Sequence, residues 1–297
     1  MTRLQNTKES SFDSSTQVPA VFIRGIMPRS GTNFLADALS KHSLIARSPG
    51  NFWEYVPFRF HPMLESYVDH VAESKHAHEF SSNEFLPFLG KAWLDFLAAD
   101  VATGKIPLFK EPSIDHLESM FQMYLNCKAI FILRDGRDIV ASALKSDFVM
   151  PRFRWWKRSQ IRRLLPDEDF RILCRQYRDA SRDLTNFLSS EAAERYRNQY
   201  LVVKYEALVD DSRNQLVEII EWLDLDPDQF DWEEFGKMPV RGSSFLRGED
   251  GGHDFGIGVE RPEEGFDPKK RWADWSSRRL EYFDRVAGRF ARELGYE

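Results

Sequence analysis

Residues 20–39 read Ala20-Val-Phe-Ile-Arg-Gly25-Ile-Met-Pro-Arg29-Ser-Gly-Thr-Asn-Phe-Leu35-Ala-Asp-Ala-Leu39, and their order of side chains decides the fold. The β-rich run from Ala20 to Ile26 stops at Met27-Pro28-Arg29-Ser30-Gly31, a stretch with turn chemistry. From Thr32 the spacing changes. Phe34, Leu35, Ala38 and Leu39 recur at helical intervals, and Thr32 or Asn33 is placed to cap the start. The unit is strand, tight loop, helix.

Outward from this stretch the same arrangement returns. Ile106–Lys110 reads as a strand, followed after Pro112 by a helix carrying Ile114, Leu117, Met120, Phe121 and Tyr124. Ala129–Leu133 is a continuous apolar run, as in a strand buried on both faces. It leads through Arg134-Asp135-Gly136 into a helix over about 137–144. Tyr200–Lys204 is a further strand, with a helix over about 212–223 behind it, and an amphipathic helix spans roughly 276–294. Apolar strands alternating with helices predict an α/β fold: a P-loop-like central parallel β-sheet with helices on both faces.

Composition agrees with one large globular unit. The 297 residues are 42% hydrophobic and 30% charged, with a net charge of -6, which argues against a nucleic-acid partner. Any anion site is therefore built locally, against the overall charge. Cys127 and Cys174 are the only cysteines, too few for a disulfide framework or a zinc site. Residues 1–17 are polar and read as a disordered tail, and residues 18–297 as a single domain. No apolar stretch reaches the roughly 20 residues of a membrane span, and no apolar leader precedes the domain. A cytoplasmic protein is the expectation.

Two places concentrate anion-binding chemistry. In the first, the backbone N–H groups at the strand-to-helix turn are unpaired and the helix dipole adds positive charge. Gly31 permits close backbone approach, Ser30 and Thr32 donate hydroxyls, and Arg29 supplies a full charge. The alternatives are a plain capped helix or a kinase-type P-loop. The latter needs G-x-x-x-x-G-K-[ST], whereas the interval from Gly25 to Gly31 is one residue longer and Thr32 follows Gly31 with no lysine between. In the second place, Arg134 ends a strand, where open α/β sheets bind ligands, and Ser142 lies one to two turns into the next helix. Its plain alternative is an Arg134 paired with Asp135 or Asp138. Two cationic sites suit a nucleotide with an extra phosphate on its ribose.

Pro28-Arg29-Ser30-Gly31-Thr32 resembles the 5'-phosphosulfate loop of sulfotransferases that use 3'-phosphoadenosine-5'-phosphosulfate (PAPS), particularly the tyrosylprotein, carbohydrate and bacterial branches. Arg134 through Ser142 resembles their 3'-phosphate motif. Lys204-Tyr205-Glu206-Ala207-Leu208 resembles the segment whose tyrosine lies near the adenine. Arg241-Gly242-Ser243-Ser244, and the end from Lys270-Arg271-Trp272 to Tyr296, resemble bacterial members. The resemblance implies the sulfotransferase fold, with PAPS as donor, 3',5'-bisphosphoadenosine (PAP) as product and no metal. It implies a donor site of Arg29, Ser30, Gly31, Thr32, Asn33, Arg134, Ser142, Tyr205, Arg241, Gly242 and Ser243, with Arg271 as a further cation.

For catalysis the resemblance implies cationic side chains in place of a metal, and Arg29 and Lys110 are the candidates. Lys110 otherwise pairs with Glu111. The general base is expected at Glu54, within Asn51-Phe-Trp-Glu-Tyr55, with Glu111, His42 and His116 as alternatives. Residues 151–175 read as a basic-aromatic insertion that either lines an acceptor cleft or covers a surface helix. The acceptor is a small molecule, glycan or phenol hydroxyl. A P-loop phosphotransferase and a nucleotide-binding protein without catalysis are the competing functions.

Overall fold

The computed structural model describes residues 20–47, 61–73, 82–145, 167–238 and 268–297. Strands β1 (Val21–Gly25), β2 (Ile45–Arg47), β3 (Ile106–Glu111), β4 (Lys128–Leu133) and β5 (Tyr200–Lys204) form one sheet in the order β2-β3-β1-β4-β5. Every pairing is parallel. The predicted central parallel sheet is present, with β2 as an edge strand that its three residues were too few to announce.

Alternation along the strands explains the two layers. Phe22 on β1 and Ala129, Phe131 and Leu133 on β4 face one core with α4 (Leu117–Met123), α5 (Gly136–Lys145) and α6 (Glu168–Leu188). Val21, Ile23, Ile130 and Ile132 face the other, against α1 (Thr32–Leu39) and α9 (Ser212–Trp222). Both faces are buried, so the strands are continuous apolar runs and not alternating ones. Helices α2 (His61–Ala72) and α3 (Ser82–Leu97) follow β2, and α3 packs on α4. The short helices α7 (Glu191–Arg195) and α8 (Tyr205–Asp210) flank β5, and α10 (Trp232–Gly236) follows α9. The C-terminal amphipathic stretch divides into α11 (Ser277–Phe283), a π turn over Asp284–Gly288, and α12 (Arg289–Glu293).

The topology creates a crevice. After β1 the chain turns into α1 on one face, and after neighbouring β4 it turns into α5 on the opposite face. The carboxyl ends of β1 and β4 therefore meet where their connections diverge, the place where such sheets take ligands.

Three expectations need correction. Neither Thr32 nor Asn33 caps α1: Gly31 occupies the cap position in the left-handed region, and no side chain closes the helix end. The turn is so tight that only glycine reaches that geometry, so the end's N–H groups stay available to a ligand. The helix after Pro112 begins at Leu117, because residues 113–116 form a loop strapped to Arg24. The stretch read as an insertion to 175 enters α6 at Glu168, whose Phe170, Leu173 and Cys174 are buried. The tail, residues 151–166, Glu54, Arg241, Gly242 and Ser243 lie outside the described residues.

Candidate active site

The loop after β1 is held in an unusual shape by its own atoms. Arg29 has a positive φ of 82° and Gly31 one of 103°. The buried Ser30 Oγ accepts the Met27 N–H at 3.0 Å and donates back to the Met27 carbonyl. A non-glycine residue in the left-handed region persists only where its surroundings dictate it. Here they do. Arg134, at the end of β4, donates from Nη1 to the Arg29 carbonyl at 2.8 Å, tying the second motif to the strained residue of the first.

Around this tie three guanidinium groups converge. Arg29 Nε donates to Ser142 Oγ at 3.0 Å, and Arg271 Nη1 donates to the same oxygen at 3.1 Å. Arg134 Nη2 donates to the Pro268 carbonyl at 2.6 Å, and its guanidinium lies 4.5 Å from the centre of the Tyr205 ring. Of the two alternative partners expected for Arg134, Asp135 pairs with Arg137 at 2.7 Å, while Asp138 feels the charge of Arg134 but accepts backbone N–H groups of Lys270 and Arg271. Arg134 Nε is buried and finds no acceptor among the described residues. That orphan donor fits an anionic ligand.

The electrostatics follow from crowding like charges in a dry site. Burial lowers Arg29 to about 10, and repulsion from Arg271 and Arg134 adds to the shift. Arg271 is lowered for the same two kinds of reason, burial first and then Arg134. Both remain charged at neutral pH. Asp138, on the first turn of α5, accepts the backbone N–H groups of Lys270 at 3.0 Å and Arg271 at 2.6 Å. Burial pushes its carboxyl up to about 6, against the downward pull of Arg134. Asp138 holds the 268–272 segment over the site, a part that reading the sequence missed; its place in Arg134-Asp-Gly-Arg-Asp138 was the available signal.

Tyr205 sits on α8, where β5 hands over to the helix, and its ring occupies the space a Cβ on Gly31 would need. Thr32 and Asn33 lie on the first turn of α1, and Asn33 Oδ1 is buried with no donor among the described residues. Arg29, Ser30, Gly31, Thr32, Asn33, Arg134, Ser142, Tyr205 and Arg271 thus belong to one neighbourhood assembled from four separate stretches of chain.

Lys110 and Glu111 are both buried at the end of β3, where they stand in register with Ile23 and Arg24. They point to opposite faces. Glu111 shares its face with Arg24, whose guanidinium burial lowers to about 10, a shift that the charge of Glu111 partly offsets. Arg24 donates to the carbonyls of Ser113 at 2.8 Å and Asp115 at 2.7 Å, so it straps down the loop that follows the lysine. His42 is committed elsewhere: its Nδ1 accepts the Leu44 N–H and its Nε2 meets the Asp226 carbonyl at 3.0 Å, beyond the far end of α1. It is corrected from a candidate base to a structural residue. His116 occupies the N-cap position of α4 in the left-handed region, and its side chain makes no capping hydrogen bond.

A model described as the sulfotransferase family matches residues 19–229. The sulfotransferase domain from the curacin biosynthetic pathway is 16% identical, over 95% of this chain and 99% of that one, with a TM-score of 0.51. The sulfotransferase STF9 from Mycobacterium avium is 14% identical, over 96% of this chain and 79% of that one, also at 0.51. Among curated proteins no relative matches the sequence.

Proposed function

Because the chain belongs to the sulfotransferase family, we propose that it transfers a sulfuryl group from PAPS to an acceptor hydroxyl, with cationic side chains in the place of a metal. The observation that carries this reading is the convergence of Arg29 and Arg271 on Ser142 Oγ, beside Arg134 with its orphan Nε, at the β1–β4 crevice. Three cations and a glycine turn suit a ligand with phosphates on both sides of a ribose. A simple triphosphate has less use for the second cluster.

PAPS, when bound, supplies the sulfuryl group and a 5'-phosphate leaving group. The loop N–H groups from Gly31 to Asn33, with Arg29, would hold that phosphate, while Arg134, Ser142 and Arg271 would hold the 3'-phosphate and Tyr205 would flank the base. Lys110 lies one strand over from the loop and is assigned to neutralise charge on the leaving oxygen. The transfer forms an O–S bond to the acceptor and breaks the S–O bond to phosphate, while the hydroxyl proton passes to a carboxylate base. Glu54 is assigned that role; Glu111 is less suited, because its carboxylate supports Arg24. Arg241, Gly242 and Ser243 are assigned to close over the 3'-phosphate.

Calorimetric titration with PAP, beside ATP–Mg²⁺, tests the reading. Metal-free binding of PAP with little binding of ATP is expected, and sulfuryl transfer should persist in EDTA. Preference for ATP–Mg²⁺ would identify a divergent phosphotransferase instead.

A further inference from the structure

A second cationic surface stands apart from the nucleotide cluster. A groove of about 320 Å³ runs between the start of α6 and the face of α11 and the π turn after it, and Arg171, Arg278, Arg279 and Arg285 line it. Only Asp167 and Glu281 oppose them in that lining. Arg279 pairs with Asp167 at 2.8 Å, while no carboxylate pairs with Arg171, Arg278 or Arg285 among the described residues. Asp167 is held below the usual carboxylate range by its hydrogen bond to Arg279 and by the nearby charges of Arg278 and Arg171. Arg171 and Arg285 both lie against the Tyr282 ring, 5.6 and 5.2 Å from its centre. On a chain of net charge -6, this is a built concentration of positive charge.

Its position is at the carboxyl end of the sheet. At the far end of α6, Phe187 packs on Tyr200, at the start of β5, while Tyr177 meets Gly136, just past the end of β4. The helix therefore runs antiparallel to the strands, and its N-terminal turn stands beyond their carboxyl ends. At 1.5 Å per residue, Arg171 lies about 9 Å past Tyr177 in that direction. Arg278 follows Arg271 by seven residues, a separation of at most about 25 Å even for extended chain. The groove therefore lies at the same end of the sheet as the nucleotide cluster.

We propose that this groove binds sulfate or carboxylate groups carried by a small or oligomeric carbohydrate acceptor, and so selects acceptors that are themselves acidic. The inference rests on the sulfuryl-transfer reading above and narrows its acceptor class. Guanidinium forks match such oxyanions in two-point geometry. The groove's volume is that of a small-ligand site, not a protein–protein interface.

The test uses the full chain and the variant R171S/R278S/R285S, none of whose sites belongs to the donor cluster. Binding of fluorescein-labelled dextran sulfate is measured beside unsulfated dextran and a glutamate-rich peptide, with PAP titrated into the same preparations. The wild type is expected to bind dextran sulfate, to lose it as salt rises, and to ignore dextran. The variant should bind it at least about tenfold more weakly, with PAP affinity and melting temperature unchanged. Equal binding by variant and wild type, or no binding by either, overturns the proposal. Tighter capture of the peptide than of dextran sulfate overturns the carbohydrate assignment. Loss of PAP binding in the wild type would sink the donor reading alone, leaving the groove to be judged by the dextran sulfate arm.

Discussion

Arg134 is placed where one side chain serves two purposes, and its removal separates them. Its guanidinium braces the Arg29 carbonyl and the Pro268 carbonyl, and leaves Nε buried without an acceptor among the described residues. Charge-assisted bonds of this kind are worth about 1.5–3 kcal/mol each, so Arg134→Ala should weaken PAP binding by about 10- to 100-fold in calorimetry. Unchanged affinity would remove the second cluster from the donor site. Asp138 makes a prediction in pH. Its folded carboxyl titrates near 6 and its unfolded one near 3.8, so the folded state holds more protons between those values. Stability from this group is present at low pH and is lost as pH rises from about 4 to about 6. Denaturant unfolding of Asp138→Asn beside the wild type should therefore show a gap that moves in the variant's favour across that window and is flat above it. A gap constant from pH 4 to 7 would refute the shifted carboxyl.

At the scale of elements, the site depends on how loops are pinned to one another. Glu206, on α8, accepts the Asp135 N–H at 2.9 Å and the Tyr296 hydroxyl at 3.0 Å. Burial, with the charge of Glu206, holds the Tyr296 phenol above its usual range, so it stays a donor. Lys204 Nζ reaches the Gly295 carbonyl at 2.9 Å. The chain end thus fastens β5 and α8 to the turn that carries Arg134. Tyr296→Phe removes one charge-assisted bond, and a loss of about 1.5–3 kcal/mol in unfolding free energy is expected. PAP affinity should fall with it. Stability lost with no change in affinity would show that the fastening does not reach the donor site. Gly31→Ala is the harsher change, since it sets a Cβ into the Tyr205 ring at a backbone angle that L-residues avoid. Loss of donor binding is expected even where the protein still folds.

At the scale of the molecule, one ligand would bridge stretches of chain more than two hundred residues apart, the loop after β1, the turn after β4 and the segment 268–272. Binding to the native state alone stabilises by mass action. A PAP concentration a hundred times its dissociation constant should add about 2.7 kcal/mol, read as a rise of several degrees in melting temperature. No rise would mean that the stretches are not bridged. Apolar strands alternating with helices, the Gly31 turn and the spacing from Arg134 to Ser142 were legible in the sequence because each rests on local chemistry: apolar runs bounded by turns, backbone permissiveness and helix pitch. These determine the parallel sheet and the two loops at its β1–β4 crevice. Only the tertiary structure decided what those loops face. Arg271 joining Arg29 on Ser142, Asp138 holding the 268–272 backbone, Glu111 supporting Arg24, and the arginine rim on α6 and α11 all bring together residues from different elements. Such contacts follow from how helices dock on the two faces of the sheet, a global packing outcome that no local pattern encodes.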